Sequence, residues 1–227
     1  MKKPVIDYRN FRFSKLKSPE FSHLLLLLGW VFYFAMYFLT EKLISVDSCT
    51  PVWCPLDDQI PFCEWFLIPY VGWYLLVAGS LLYFALYDIP QFRRLQIFII
   101  VTQVTAMLCY ILFPTCQNLR PEIFPRENFL TDCISFLYTF DTNTGVCPSL
   151  HCAYSIGIAS VWWKQPDASR RSKWGITLFC ALVCLSTVFI KQHSVLDFFA
   201  ALPVCLLAEG IACGSWWKQR YIHKKKT

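Results

Sequence analysis

Val146-Cys147-Pro148-Ser149-Leu150-His151 and Ser186-Thr187-Val188-Phe189-Ile190-Lys191-Gln192-His193-Ser194-Val195-Leu196-Asp197 are the stretches from which the rest of the chain is read. Each sets a histidine where a polar loop gives way to a strongly apolar run, and the second places an aspartate inside that run. A carboxylate within an apolar span is costly to bury, so its default reading is functional. On an α-helix His193 and Asp197 share a face, with Cβ atoms about 5–6 Å apart. A carboxylate there fixes the tautomer of the imidazole and stabilises its charged form, which prepares a histidine for nucleophilic or acid–base work.

Working outward, the 227 residues are 56% hydrophobic, with a mean hydropathy of +0.43. That exceeds what a soluble domain needs to fill its core. Runs near the roughly 17–25 residues that cross a bilayer fall at Phe21–Thr40, Trp65–Tyr87, Leu95–Thr115, Pro148–Trp163, Trp174–Ile190 and Val195–Trp217. They predict an all-α integral membrane protein, a six-transmembrane helix bundle forming a single membrane domain over 1–227. The fourth run is the shortest and begins at its own motif. No small-residue cleavage site follows the first run, which therefore reads as an uncleaved signal anchor. Tryptophans at or near most of the proposed ends fit an aromatic belt.

The net charge of +6 is spread in short clusters beside apolar runs, with no broad basic face. This excludes nucleic acid as the expected partner and favours the bilayer. With both termini cytoplasmic, all but four of the 21 Lys and Arg residues fall on the inside, the exceptions being Lys42, Arg120, Arg126 and Lys191; this is the positive-inside pattern. Residues 1–20 become a cytoplasmic N-terminal segment and 218–227 a basic cytoplasmic tail. The loop from Arg120 to His151 and the turn from Lys191 to His193 then share the non-cytoplasmic face, where residues distant in sequence can meet.

Of twelve cysteines, Cys109, Cys152, Cys180, Cys184, Cys205 and Cys213 lie in apolar segments, where a free thiol behaves as a small hydrophobe. Cys49, Cys54, Cys63, Cys116, Cys133 and Cys147 lie in two loops placed outside the cytoplasm, a setting in which disulfides persist. Cys147, His151, Cys152, His193 and Asp197 lack the compact spacing of a zinc site, so neither a metal nor another cofactor is expected.

Pro148-Ser149-Leu150-His151, followed by Ser186-Thr187, five residues and His193-x-x-x-Asp197, resembles the P-S-G-H and S-R-x5-H-x3-D signatures of the type-2 phosphatidate phosphatase superfamily. Asn118-Leu119-Arg120-Pro121 is similar to the end of its K-x6-R-P signature. The resemblance implies a membrane lipid phosphatase without metal, acting on a phosphomonoester or diphosphate of a lipid. His193 would attack phosphorus to form a phosphohistidine, oriented by Asp197. His151 would protonate the leaving oxygen and later activate water. Arg120 and backbone N–H groups near Ser149 and Leu150 would hold the developing charge.

The match departs in three places: Phe113 stands for the first-signature Lys, Thr187 for the third-signature Arg, and Leu150 for Gly. Lys191 is the candidate replacement cation, with Arg126 a weaker one. P-S-L-H also occurs in the branch resembling inositol phosphorylceramide synthases, which implies a second reading as a phosphotransferase moving a phosphorylated head group between lipids. A third is a non-catalytic lipid-binding or transport protein that keeps the fold. Plainer roles stand beside the chemical ones: Ser149 suits a helix cap, Arg120 a solvated loop charge, His23 and His223 flanking positions, and Glu209 a partner within the bundle.

Overall fold

The computed structural model describes residues 3–214, so the expectations for Trp216, Trp217 and the basic tail lie outside the described residues. Residues 3–27 form short 3-10 turns that tie the start of the chain to one end of the bundle. Val5 N–H donates to Leu86 O at 2.8 Å, and Tyr8 O–H donates to Ala85 O at 2.7 Å. The Tyr8 oxygen also lies 2.8 Å from Nε2 of the buried His23, which therefore has a fixed partner.

Eight α-helices follow: α1 (Leu28–Leu43), α2 (Pro55–Gln59), α3 (Leu67–Tyr87), α4 (Ile89–Leu112), α5 (Phe129–Phe140), α6 (Leu150–Trp163), α7 (Arg170–Phe189) and α8 (Val195–Cys213). Two short strands, β1 (Thr50–Pro51) and β2 (Thr115–Cys116), pair in parallel with Thr50 opposite Thr115. They join the loop after α1 to the loop after α4. Side chains at the starts decide where the helices begin. Asp88 accepts from Gln91 N–H and Pro90 occupies the first turn of α4, so that helix starts before the apolar run does. Ser169 likewise starts α7 ahead of Trp174. Helix α5, in a stretch read from sequence as loop, is opened by an Asn128–Thr131 capping box.

Five helical segments are long and apolar enough to cross a membrane: Ser22–Leu43, Glu64–Tyr87, Ile89–Leu112, Arg170–Phe189 and Val195–Cys213. The remaining expected span, α6, has 14 residues, about 21 Å at 1.5 Å per residue. Its shortness comes from its N-terminus: Pro148 lies outside the helix and Ser149 caps it, whereas the sequence reading began the span at Pro148. Nine residues of α6 are buried, and it packs among α3, α4, α7 and α8.

The core runs through these five helices, with Phe84, Phe92, Phe98, Ile99, Tyr154, Ile158 and Ala208 among its least exposed members. Near one end Lys164 pairs with Glu209, which also accepts from Ser160 Oγ at 2.8 Å, while Gln91 Nε2 donates to Lys164 O at 3.0 Å. The twelve cysteines are all unpaired. Gly157 sets the close approach of α6 to α4: a Cβ there would lie 2.4 Å from the Phe98 ring, and that ring is fully enclosed. Overpacking of this kind costs about 1–3 kcal/mol. Gly157→Ala is expected to lower the detergent-solubilised melting temperature by several degrees, measured by differential scanning fluorimetry; an unchanged Tm would mean that α4 and α6 are looser than described.

Candidate active site

The turn between α7 and α8 presents the chemistry. Lys191 N–H donates to Val188 O at 3.1 Å and Gln192 N–H to Thr187 O at 2.9 Å, with Lys191 in the left-handed region at φ 56°. This is the Schellman termination of a helix, normally made with glycine. For a residue with a Cβ the conformation costs about 1–2 kcal/mol, offset here by the Lys191 ammonium, which donates to Asp57 O at 2.7 Å and Ile60 O at 2.6 Å. Burial pushes that ammonium down from its usual range, and the charges of Asp57 and Asp58 offset this only in part.

His193 follows, and it is not on a helical face with Asp197 as the spacing predicts. It precedes the N-cap Ser194, and Asp197 is the third residue of α8, so the two meet through a capping box. Asp197 Oδ2 accepts from His193 Nδ1 at 2.9 Å and from Ser194 N–H at 3.1 Å. Because a carboxylate oxygen accepts, Nδ1 carries the proton and Nε2 keeps its lone pair. Burial alone would lower the His193 pKa; the bond to Asp197 and its charge outweigh this and raise it above the ordinary value.

A second carboxylate holds the same turn from the loop after α1. Asp57, 1% exposed, accepts from Ser194 Oγ at 2.6 Å, Val195 N–H at 2.8 Å and Cys54 N–H at 2.8 Å. Burial would raise its pKa, but the bonds from Ser194, Val195 and Cys54 together hold it below the usual carboxylate range. Cys63 N–H adds a bond to Phe189 O at 3.0 Å.

His151, the second residue of α6, faces His193 with ring centroids 6.1 Å apart. Its ring stacks on Tyr70 at 4.4 Å and lies 4.2 Å from Trp73, and its Nε2 has no hydrogen-bond partner. Ser149 caps α6, its Oγ accepting from Cys152 N–H at 3.5 Å. Its own N–H donates to Asp197 O at 3.1 Å, so of the two N–H groups expected at an anion only that of Leu150 is left at the helix N-terminus.

Arg120 is brought to the same place but does not reach the cavity directly. Its guanidinium donates to Tyr138 O at 3.0 Å, to Asp141 O, and to Gln192 Oε1 at 3.1 and 2.6 Å, and it lies 4.4 Å over the Tyr138 ring. Lys191 is turned away onto the Asp57 loop. Arg126 pairs with Glu64 at 3.0 Å, and Thr187 Oγ1 donates to Cys184 O at 2.8 Å.

His151, His193, Leu150 and Gln192 border a cavity of about 1430 Å³ that runs between α1, α3 and α5 and is mostly apolar, with Phe34, Val71 and Leu137 among its walls. Asp141, at the end of α5, lines it too and accepts from Tyr70 Oη. Asp57, Tyr70, Asp141 and Gln192 were not singled out from sequence. Gln192 is next to the histidine, but the other three carry no motif and arrive from distant segments. Among the described residues no group of three or more His, Cys, Asp or Glu is arranged to hold a metal ion.

Neither a curated protein nor a solved structure matches this chain. A family model described as the PAP2 superfamily matches residues 94–221, which take in Arg120, both histidines and Asp197. The match covers more than half of the 227 residues, and the chain belongs to the PAP2 superfamily.

Proposed function

We propose that the chain is a membrane lipid phosphatase that cleaves a phosphate ester of a lipid, a phosphomonoester or a diphosphate, through a phosphohistidine. The observation that carries this is the pair of imidazoles 6.1 Å apart across one apolar cavity, one of them held by a carboxylate. That gap accommodates one phosphoryl group. His193 Nε2 attacks phosphorus as the bond to the lipid oxygen breaks, and His151 supplies the proton that the leaving oxygen needs. Water then attacks phosphorus, His151 takes its proton, and the N–P bond breaks to release phosphate. The Leu150 and His151 N–H groups at the α6 N-terminus favour an anion there, and fixed donors are the largest electrostatic aid at such a centre. Arg120 acts through Gln192, and Lys191 and Asp57 act as positioning residues.

In this reading α6 completes six crossings, the termini are cytoplasmic, and the site opens on the non-cytoplasmic face. The substrate enters laterally with its chains in the cavity and its phosphate at the histidines. Catalysis requires no metal. Head-group transfer to another lipid is the second reading. It is favoured by one observation: among the described residues no Lys or Arg lines the cavity, so a phosphomonoester dianion meets little compensating charge.

Three measurements test the proposal. In detergent or vesicles with EDTA, lipid-phosphate cleavage should persist in the wild-type protein and fall at least 1000-fold in His193→Ala and His151→Ala, consistent with loss of a nucleophile or acid–base group. Radiolabelled substrate should trap an acid-labile phosphoenzyme in the wild type and none in His193→Ala. Activity unaffected by both substitutions would leave a lipid-binding protein, and release of labelled head group only in the presence of an acceptor lipid would favour transfer.

The pH profile gives a second test. Attack needs neutral His193, whose pKa is raised, so the rate should fall as pH drops through a value above that of an ordinary histidine. Asp197→Asn removes the raising charge and should move this acid limb to lower pH while reducing kcat. A limb that stays in place would detach Asp197 from His193.

Asp57 supplies the third. Asp57→Ala should lower kcat about 10- to 100-fold with little change in KM, the scale of a small misplacement of a catalytic group. Asp57→Asn, which keeps one acceptor for Ser194 or Val195, should recover part of it. Equal loss in both variants, with unfolding seen by fluorimetry, would make Asp57 purely structural.

A further inference from the structure

We propose that the cavity selects a lipid phosphodiester whose head group carries an ammonium, paired with Asp141, over a doubly charged phosphomonoester. The inference rests on the cavity being the lipid-phosphate site of the proposed function, and of the two readings given there it favours head-group transfer, whose donor lipid is a phosphodiester.

The cavity's own charges point this way. Among the described residues, the only Asp, Glu, Lys or Arg that line it are Asp132 and Asp141, both acidic. Of the two signature cation positions that this chain has lost, Phe113 is 72% exposed and Thr187 is turned onto Cys184 O. The Arg120 donors are spent on Tyr138 O, Asp141 O and Gln192 Oε1. Because the guanidinium can only donate, it fixes the Gln192 amide with its oxygen toward Arg120. The Gln192 nitrogen is thereby turned toward Tyr70 and the cavity, on a side chain that is 3% exposed. His151 Nε2 and Trp73 Nε1 are unpartnered in the same wall. The groups available to a phosphate are thus neutral N–H donors and, when it is protonated for its acid role, the single charge of His151, which suit a singly charged diester better than a doubly charged monoester.

Asp141 supplies the complementary half. It is held at both ends, by Tyr70 O–H on its carboxylate and by Arg120 on its backbone oxygen. Tyr70 is the ring stacked on His151, so one aromatic side chain links the carboxylate to the histidine pair. Asp141 lines the same cavity as both histidines. Tyr33, Tyr37 and Tyr74 line the cavity with it. A carboxylate in a cavity lined by aromatic rings attracts an ammonium or quaternary ammonium group and repels a phosphate dianion. An ammonium a few bonds beyond a phosphodiester fits between the two.

Binding is measured with the full chain carrying His193→Ala, so that lipid stays intact, in a non-ionic detergent at pH 8. The readout is intrinsic fluorescence, since Trp30 and Trp73 border the cavity. Dihexanoyl phosphatidylcholine and phosphatidylethanolamine should bind at least tenfold more tightly than dihexanoyl phosphatidate or phosphatidylinositol. Adding Asp141→Asn, which still accepts from Tyr70, should abolish the preference, and Asp141→Glu should retain it. Equal binding of phosphatidate and phosphatidylcholine, or a preference that survives Asp141→Asn, overturns the inference. Phosphoenzyme formation from phosphatidate by the wild type, without any ammonium preference, sinks this inference alone. A preference without turnover of any lipid keeps it and removes only the catalytic reading.

Discussion

The architecture of the site depends on the capped turn that joins α7 to α8. Its geometry is unfavourable taken alone, with a lysine in the left-handed region and a histidine buried in largely apolar surroundings. It persists because charged and polar groups from three separate segments converge on it. Asp197 holds the imidazole from the helix that follows. Asp57 holds the helix start from the loop after α1, and Tyr138 O–H donates to Ile190 O at 2.6 Å from α5. A buried carboxylate satisfied by several donors is rigid as well as stable, and rigidity is what a nucleophile needs to meet phosphorus in line.

From that turn the remaining parts fall into place by helix geometry. The C-terminus of α7 and the N-termini of α6 and α8 come together where Ser149 N–H meets Asp197 O. Tyr110, near the end of α4, donates to Pro148 O at 2.7 Å and ties in the segment that leads to Arg120. The candidate site is therefore concentrated at helix termini, where unsatisfied N–H groups and dipole ends are available. The long apolar faces of α1 and α3 remain to wall the cavity. The opposite end, with Lys164, Glu209 and Gln91, is tied by ordinary ion-pair and hydrogen-bond contacts.

Much of this is legible in the linear chain, for identifiable reasons. Apolar runs of bilayer length announce themselves, because a spanning helix has to satisfy its own backbone and be apolar outside. His151, His193 and Asp197 stand out since titratable groups beside such runs are rare. The helix starts at Ile89 and Arg170 were harder to see: they are set by Asp88 and Ser169, which lie before hydropathy rises. Helix α5 was missed because it is short, and its capping box lies in a polar loop. Lys191 was the natural replacement cation by proximity, but a residue two places from His193 in the turn points to another side.

Local order thus determined what is written in neighbours: a helical membrane chain, and two histidines and an acid in family spacing. Tertiary structure alone decided what meets across distance. It joined Asp57 to Ser194, Tyr70 to Asp141, and Arg120 to Gln192, and among the described residues it left the cavity bordered by two carboxylates and the amide of Gln192 in place of Lys or Arg. The physical reason is that hydrogen-bond partners of buried polar groups are chosen by position in space, over separations of 71, 72 and 137 residues here, and no periodicity in a chain encodes such pairings.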